Sequence, residues 1–156
     1  MNASYKSINT FFDHLSPVAP LFIRLLIGFH LIYGTHDKIF STEAMQGIGN
    51  WFQTQGIPFP LFSAYLSAYS QFICGSLFGL GLFARPAALT MVINFICAIG
   101  FAHIGDTYPN TFPALAMLAG SFFLLFNGAG SISIDSFKDD HNKLKKAEGW
   151  DVRDGF

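Results

Sequence analysis

Polar positions divide the 156-residue chain into four long apolar stretches. Between Leu61 and Phe83 there is no charged residue, and between Ala87 and Ala102 again none; Ala84-Arg85-Pro86 separates the two runs. A helix needs about 20 mostly apolar residues to cross about 30 Å of hydrocarbon, so this pair reads as a transmembrane hairpin. Spans are predicted over Val18–Thr35, Leu61–Phe83, Ala87–Ile104 and Thr111–Asn127. Ser16-Pro17 marks the start of the first, a capping residue followed by a proline in the first turn. Pro113 falls in the first turn of the fourth, where proline is tolerated. Gly128-Ala129-Gly130 ends that span.

The rest of the pattern is shorter. Ile8, Phe11, Phe12 and Leu15 recur at helical spacing, which predicts a short interfacial helix in the lead segment 1–17. Residues 39–60 are rich in Gly and hold Trp51-Phe52, so they read as a loop resting at headgroup level. Gly105–Asn110 reads as a second loop, and 131–156 as a polar tail, helical over Ser136–Glu148. The fold class expected is an all-α membrane protein, a four-transmembrane-helix bundle with up-down-up-down topology. Its transmembrane domain covers 18–130, between the lead 1–17 and the tail 131–156.

Composition sharpens this picture. Charged residues make up 12% of the chain, about half the usual share for a soluble domain, while 51% is hydrophobic and 19 residues are Phe. A water-surrounded core of this size has no room for so many large apolar side chains, and lipid contact removes the difficulty. A net charge of -1 offers no basic surface for phosphate, so nucleic acid is not an expected partner. The lead carries only Lys6 and Asp13 and lacks a small-x-small cleavage pattern, so it is expected to be retained. With four spans, Lys6, Arg85, Lys138, Lys143, Lys145, Lys146 and Arg153 share one side and Lys38 stands on the other. The positive-inside bias then predicts both termini in the cytoplasm.

Polar residues inside the spans are the candidate chemistry, because ionic groups in hydrocarbon are costly and need inward partners. Arg24 sits roughly 9 Å into the first span. Its fork could bind backbone carbonyls, Asn94 and Asn127 at similar depth, lipid phosphate or a ligand; the plain alternative is snorkelling to the headgroups. Arg24, Gly28, Leu31, Thr35 and Lys38 form one helical stripe, read as an inward face or as a packing seam. His30 and Gln71 fall at matching depth near the midplane, where they could bond each other or orient the oxygens of a quinone. His36, Asp37, Lys38, His103 and Asp106 cluster toward the outer face, as a proton or metal station or as a solvated rim; their spacing matches no metal motif, and no metal site is expected. Haem is not expected, since His30 and His103 lie at different depths. Cys74 and Cys97 share a depth across the hairpin, as a redox pair or as ordinary packing. Gly75-xxx-Gly79 permits close helix approach, within the bundle or in a homo-oligomer.

Several motifs in order resemble one family. Arg24-x3-Gly28 with Tyr33-Gly34-x3-Lys38, Gly56-Ile57-Pro58 with Ser63-Ala64-Tyr65, Leu80 to Ala88 (LGLFARPAA) and Gly128 to Asp135 (GAGSISID) resemble the DoxX family of small bacterial membrane proteins over about residues 18–135. The resemblance implies a four-helix bundle in the bacterial inner membrane. It implies kinship with the membrane part of a thiosulfate:quinone oxidoreductase and with oxidative-stress and redox assemblies. The family commonly has Glu where this chain has Gln71, which removes an acid suited to proton-coupled work. The expected function is therefore a membrane subunit or anchor of a quinone-linked redox system, with other membrane or redox proteins as partners. Were it an enzyme, it would be an oxidoreductase subunit using quinone. Arg24, His30, Gln71 and Asn94 would line the quinone pocket, with Lys38 and His103 at its outer mouth; no residue is singled out as catalytic. The alternative is a non-enzymatic structural or assembly subunit. A solute carrier fits less well, for want of an inverted repeat or a broken helix.

Overall fold

The computed structural model describes residues 16–147 together with Thr10 and Asp13. The predicted interfacial helix at 1–17 falls largely outside these residues. Among them every regular element is helical. A 3-10 turn at Ser16–Val18 leads into α1, Ala19–Phe40. Then come α2, Thr42–Thr54, and α3, Pro60–Leu80. α4 is Ala84–Ala102, α5 is Tyr108–Asn127, and α6 is Ile134–Ala147. Contacts run from α1 to α3, α3 to α4, α4 to α5, and α5 back to α1, with α2 laid against α3 and α1.

The long helices depart from their predicted bounds for local reasons. α1 continues past Thr35 through His36-Asp37-Lys38 to Phe40. Lys38 stands in its last turn, where a cation suits the exposed carbonyls, and its ammonium donates to the Gly34 carbonyl. The break between α3 and α4 is at Gly81–Phe83 rather than at Ala84-Arg85-Pro86. Gly81 takes φ 67°, a left-handed cap that suits glycine. Pro86 lies within the first turn of α4, where a missing N–H costs no helical bond. α5 begins at Tyr108, just beyond Asp106, whose Oδ1 accepts from the Thr107 N–H and from Asn110 Nδ2 at 2.8 and 2.7 Å.

Residues 39–60 are mostly helix, not loop. Ser41 caps α2 by accepting the Ala44 N–H. Met45, Ile48 and Phe52 then fall at helical spacing and pack on Ala64 and Ala68 of α3. Gly49 sits where the chains come close: a Cβ there would stand 3.0 Å from Leu61 Cδ1. Gly49 thus serves contact within the helix, while Gly56, at φ 71°, follows its end.

The main core gathers Ile27, Leu31, Phe78, Met91, Phe95 and Leu124. Small residues let the helices approach. A Cβ on Gly28 would lie 2.8 Å from the Gly75 carbonyl oxygen, and one on Gly75 would lie 3.0 Å from that of Gly28. The Gly75 seam is therefore used inside the molecule, between α1 and α3. The stripe of Arg24, Gly28, Leu31 and Thr35 faces inward as a buried set, with Lys38 half-buried at its end.

The outward faces are apolar. Phe22, Phe29, Phe62 and Phe126 are 67–72% exposed, a surface that water would not tolerate and acyl chains would. Among the described residues three helices are long and apolar enough to cross a membrane: Ser16–Phe40, Ala84–Ala102 and Tyr108–Asn127. α3 has the length but carries Ser63, Ser67, Ser70, Gln71 and Ser76, which lower its mean hydropathy.

Candidate functional site

A cavity of about 660 Å³ opens between the C-terminal half of α1, α2, α3 and α4. Its walls are largely apolar: Trp51 and Phe52 from α2, Phe59 and Phe62 around the start of α3, Ile93 and Phe101 from α4. Volume and lining match those of small-molecule pockets, which hold about 300–1,000 Å³ and few polar groups. The polar groups here include Lys38, Ser67, Gln71, Asn94, Cys97 and His103. A second cavity of about 230 Å³ lies next to it, bounded by His30, Phe95, Pro113 and Met117. Gly34, Gln71, Ala98 and His103 line both and form a shared wall.

Inside the larger cavity the polar atoms are linked. Gln71 Nε2 donates to Ser67 Oγ at 3.0 Å, and Ser67 Oγ donates to Asn94 Oδ1 at 2.9 Å. This chain ties α3 to α4 across the site. Asn94 Nδ2 is sealed from water and has no partner among the described residues, a costly condition for a buried donor. Ser67 escaped the sequence reading, although its place one turn before Gln71 is the spacing at which helical side chains meet.

Where the shared wall meets the end of α4, His103 Nδ1 stands 3.2 Å from Asp106 Oδ2. Asn110, the Thr107 N–H and His103 together hold the Asp106 carboxyl below its ordinary range. The predicted outer cluster is thus divided. His103 and Asp106 form one pair; Lys38 and Asp37 form another at 3.9 Å, while His36 turns to the Tyr33 carbonyl.

Of the sequence candidates, Lys38, Gln71, Asn94 and His103 line the larger cavity, and His30 joins Gln71 and His103 on the smaller. His30 and Gln71 do not bond each other: Gln71 finds Ser67 on its own helix, and His30 makes no hydrogen bond among the described residues. Cys97 is exposed to the cavity, whereas Cys74 is buried in the core; both thiols are free.

Arg24 lines neither cavity. It lies 14 residues before Lys38 on α1, about 21 Å along the axis. It is 3% exposed, so it does not snorkel. Nη1 donates to the Ala129 carbonyl at 2.6 Å and Nη2 to that of Ile132 at 2.8 Å. Asn94 and Asn127 are not its partners; Asn127 bonds back to Phe123. Gly81 leaves room for the guanidinium, since a Cβ there would come 2.4 Å from Nη1.

The sequence model of the DoxX family matches residues 19–104. The chain belongs to the DoxX family. It is also 31% identical, over 133 residues, to an uncharacterized membrane protein of Mycobacterium tuberculosis, covering 76% of this chain and 80% of the relative. No solved structure matches it. In this DoxX-family protein the matched region holds both cavities' polar wall. The segment that Arg24 grips lies beyond it, at Gly128 to Asp135.

That closing segment is pinned at every polar residue. The Ser131 N–H and Oγ both donate to the Pro17 carbonyl. Ser133 Oγ accepts the Ser136 N–H and so caps α6. The Asp135 N–H donates to Gly81, while its carboxylate accepts the N–H groups of Phe83 and Ala84 at 2.9 and 3.0 Å. Phe83 has φ 49°, a strained value for a bulky residue. A carboxylate spanning both amides at the start of α4 holds it there.

Proposed function

We propose that this DoxX-family protein is a four-span bundle of the bacterial inner membrane, α1, α3, α4 and α5 crossing up-down-up-down with both termini cytoplasmic. We further propose that it serves a quinone-linked redox system as a membrane subunit whose cavity receives the quinone. α3 is counted as a span because it is 21 residues long and packed between α1 and α4. Ser63, Ser67, Gln71 and Ser76 have hydrogen-bond partners, and Ser70 lines the larger cavity. The orientation rests on the excess of Lys and Arg at the Arg24 end, which puts the cavities toward the outer leaflet.

The observation that carries the reading is the 660 Å³ largely apolar cavity with Lys38, Gln71 and His103 among the few polar groups of its wall. A quinone has a flat apolar ring, an isoprenoid tail and two carbonyl oxygens. Trp51, Phe52 and Phe62 suit the first two; Gln71 and Lys38 can donate to the third, and Asn94 holds Ser67 beside them. Arg24 has a mechanical part, holding the closing segment against the helix ends. No electron-transferring group is assigned to this chain, so the redox centre belongs to a partner in this reading.

Native mass spectrometry of protein extracted in mild detergent is expected to find bound isoprenoid quinone. Ala98→Trp, which fills the wall common to both cavities, should abolish saturable binding of a decyl-tailed benzoquinone. Undiminished binding to that variant, or a stoichiometric protein partner with no bound small molecule, would turn the reading toward an assembly subunit.

A further inference from the structure

His103, the residue that follows α4, lines the cavities and has no defined task in the quinone reading. It terminates α4, is 20% exposed at the side chain and lines both cavities. Its Nδ1 is engaged by Asp106 at 3.2 Å. No hydrogen bond is made by Nε2 among the described residues, and that atom is not sealed from solvent. An ionised carboxylate only accepts hydrogen bonds. The proton of a neutral imidazole facing Asp106 must therefore sit on Nδ1, which leaves Nε2 as a bare acceptor. Asp106 is itself kept ionised by Asn110 and the Thr107 amide. The pair is thus back-anchored in the Gly105–Asn110 segment, with His103 in the wall common to both cavities.

We propose that Asp106 fixes the His103 tautomer so that Nε2 accepts a hydrogen bond from a hydroxyl on the cavity ligand, making the site selective for the reduced, quinol-type headgroup. This rests on the quinone-cavity reading and adds to it which redox form is held at this wall. A carbonyl oxygen offers Nε2 no proton and meets only its lone pair; a phenolic O–H offers the complement. When His103 takes up a proton, Nε2 becomes a donor and the preference moves toward the carbonyl form. The proton comes from water at the loop and no electron is transferred in this step. Other charged or titratable groups facing these cavities are Lys38 and His30 from α1 and Cys97 from α4 itself; α3 contributes the neutral Gln71, and α5 contributes Pro113, Ala114 and Met117 to the smaller cavity. Lys38 is controlled for by Lys38→Met. His30 lies across the smaller cavity and is controlled for by His30→Gln.

The test uses the full-length protein in nanodiscs, with four probes: a decyl-tailed benzoquinol, the matching quinone, decanol and decylbenzene. Dissociation constants are measured between about pH 5 and 8. At the upper end the wild type is expected to bind quinol about three- to tenfold more tightly than quinone, the worth of one net hydrogen bond. That ratio should fall as the pH is lowered. His30→Gln should keep the pH dependence, and His103→Gln should lose it. Asp106→Asn can donate as well as accept, so it admits the opposite tautomer and should bring the ratio near unity while leaving decylbenzene affinity unchanged. Tighter binding of decanol than of quinol would assign the hydroxyl to another lipid and overturn the quinol assignment. A wild-type quinol-to-quinone ratio indifferent to pH, or an Asp106→Asn protein that behaves like wild type, would overturn the role of His103. In those cases saturable quinone binding would still uphold the cavity. If no probe binds saturably, the cavity reading falls and this inference with it.

Discussion

Gly28 and Gly75 face each other across α1 and α3, and the contact is backbone on backbone. A methyl on Gly28 would lie 2.8 Å from the Gly75 carbonyl oxygen, so the helices must part to admit it. Gly28→Ala is expected to lower stability by about 1–3 kcal/mol, the usual cost of overpacking, read as an earlier thermal transition in detergent. Gly34→Ala on the same helix is the control, because nothing lies within 4 Å of its Cβ position. Arg24 poses the opposite problem, a long side chain that satisfies others. Arg24→Ala leaves the Ala129 and Ile132 carbonyls unpaired, at about 1–3 kcal/mol each where water is excluded. Arg24→Lys should recover only part, since an ammonium lacks the fork that reaches both oxygens. Asp106 makes a pH-dependent contribution. Its carboxyl is held below the ordinary range by Asn110, the Thr107 N–H and His103. The stability it lends the Gly105–Asn110 turn is therefore present above the ordinary aspartate value of about 3.9 and lost as pH falls through the lower folded-state value. NMR signals of Thr107 and Asn110 should titrate with a midpoint below 3.9, moving up toward it in Asn110→Ala.

At the scale of elements, α4 depends on a residue 51 positions later in the chain. Its N-cap, Phe83, provides no side-chain cap of its own, and the Asp135 carboxylate takes the Phe83 and Ala84 amides instead. Asp135→Ala is expected to cost about 0.5–2 kcal/mol, as loss of an N-cap does. It should speed amide exchange in the first turn of α4 and in α6, while α2 stays unchanged. α2 depends in turn on α3: Met45 is 1% exposed and meets Ala64 and Ala68. This helix forms the lateral wall of the larger cavity, so packing at Met45 and ligand access through Trp51 and Phe52 belong to one element.

For the whole molecule, the two ends of the helices have different work. One end is closed by Arg24, Asp135 and the Gly128–Asp135 segment, tied to the helix ends by hydrogen bonds, with Arg24 Nε alone buried without a partner among the described residues. The other is open, with cavities, an unpartnered amide and a histidine-carboxylate pair. Such a division suits a protein that is anchored at one membrane face and receives a hydrophobic molecule from the other. The expected topology is tested by reporters fused to each terminus, both of which should signal from the cytoplasm. A membrane-permeant, hydrophobic maleimide should modify Cys97, which lines the cavity, and spare Cys74 in the core.

The chain's apolar runs determined by themselves that this is a helical membrane protein, because hydrocarbon demands long uncharged segments and few sequences supply them. The motifs from Arg24 to Ala88 likewise marked the family. Depth along a helix was legible too, since rise per residue is constant: it set His30 level with Gln71, and both line the smaller cavity, but it also set Asn94 level with Arg24, and the two have different partners. What depth could not give was azimuth and partner. Whether Arg24 met lipid, asparagine or carbonyl was decided by a segment more than 100 residues away. Whether Gln71 met His30 or Ser67 was decided by side-chain direction. Gly49 misled for the same reason, whereas Gly56 does follow a helix end. A glycine that breaks a helix and one that lets two helices touch are the same letter, and only the neighbour brought against it by folding tells them apart.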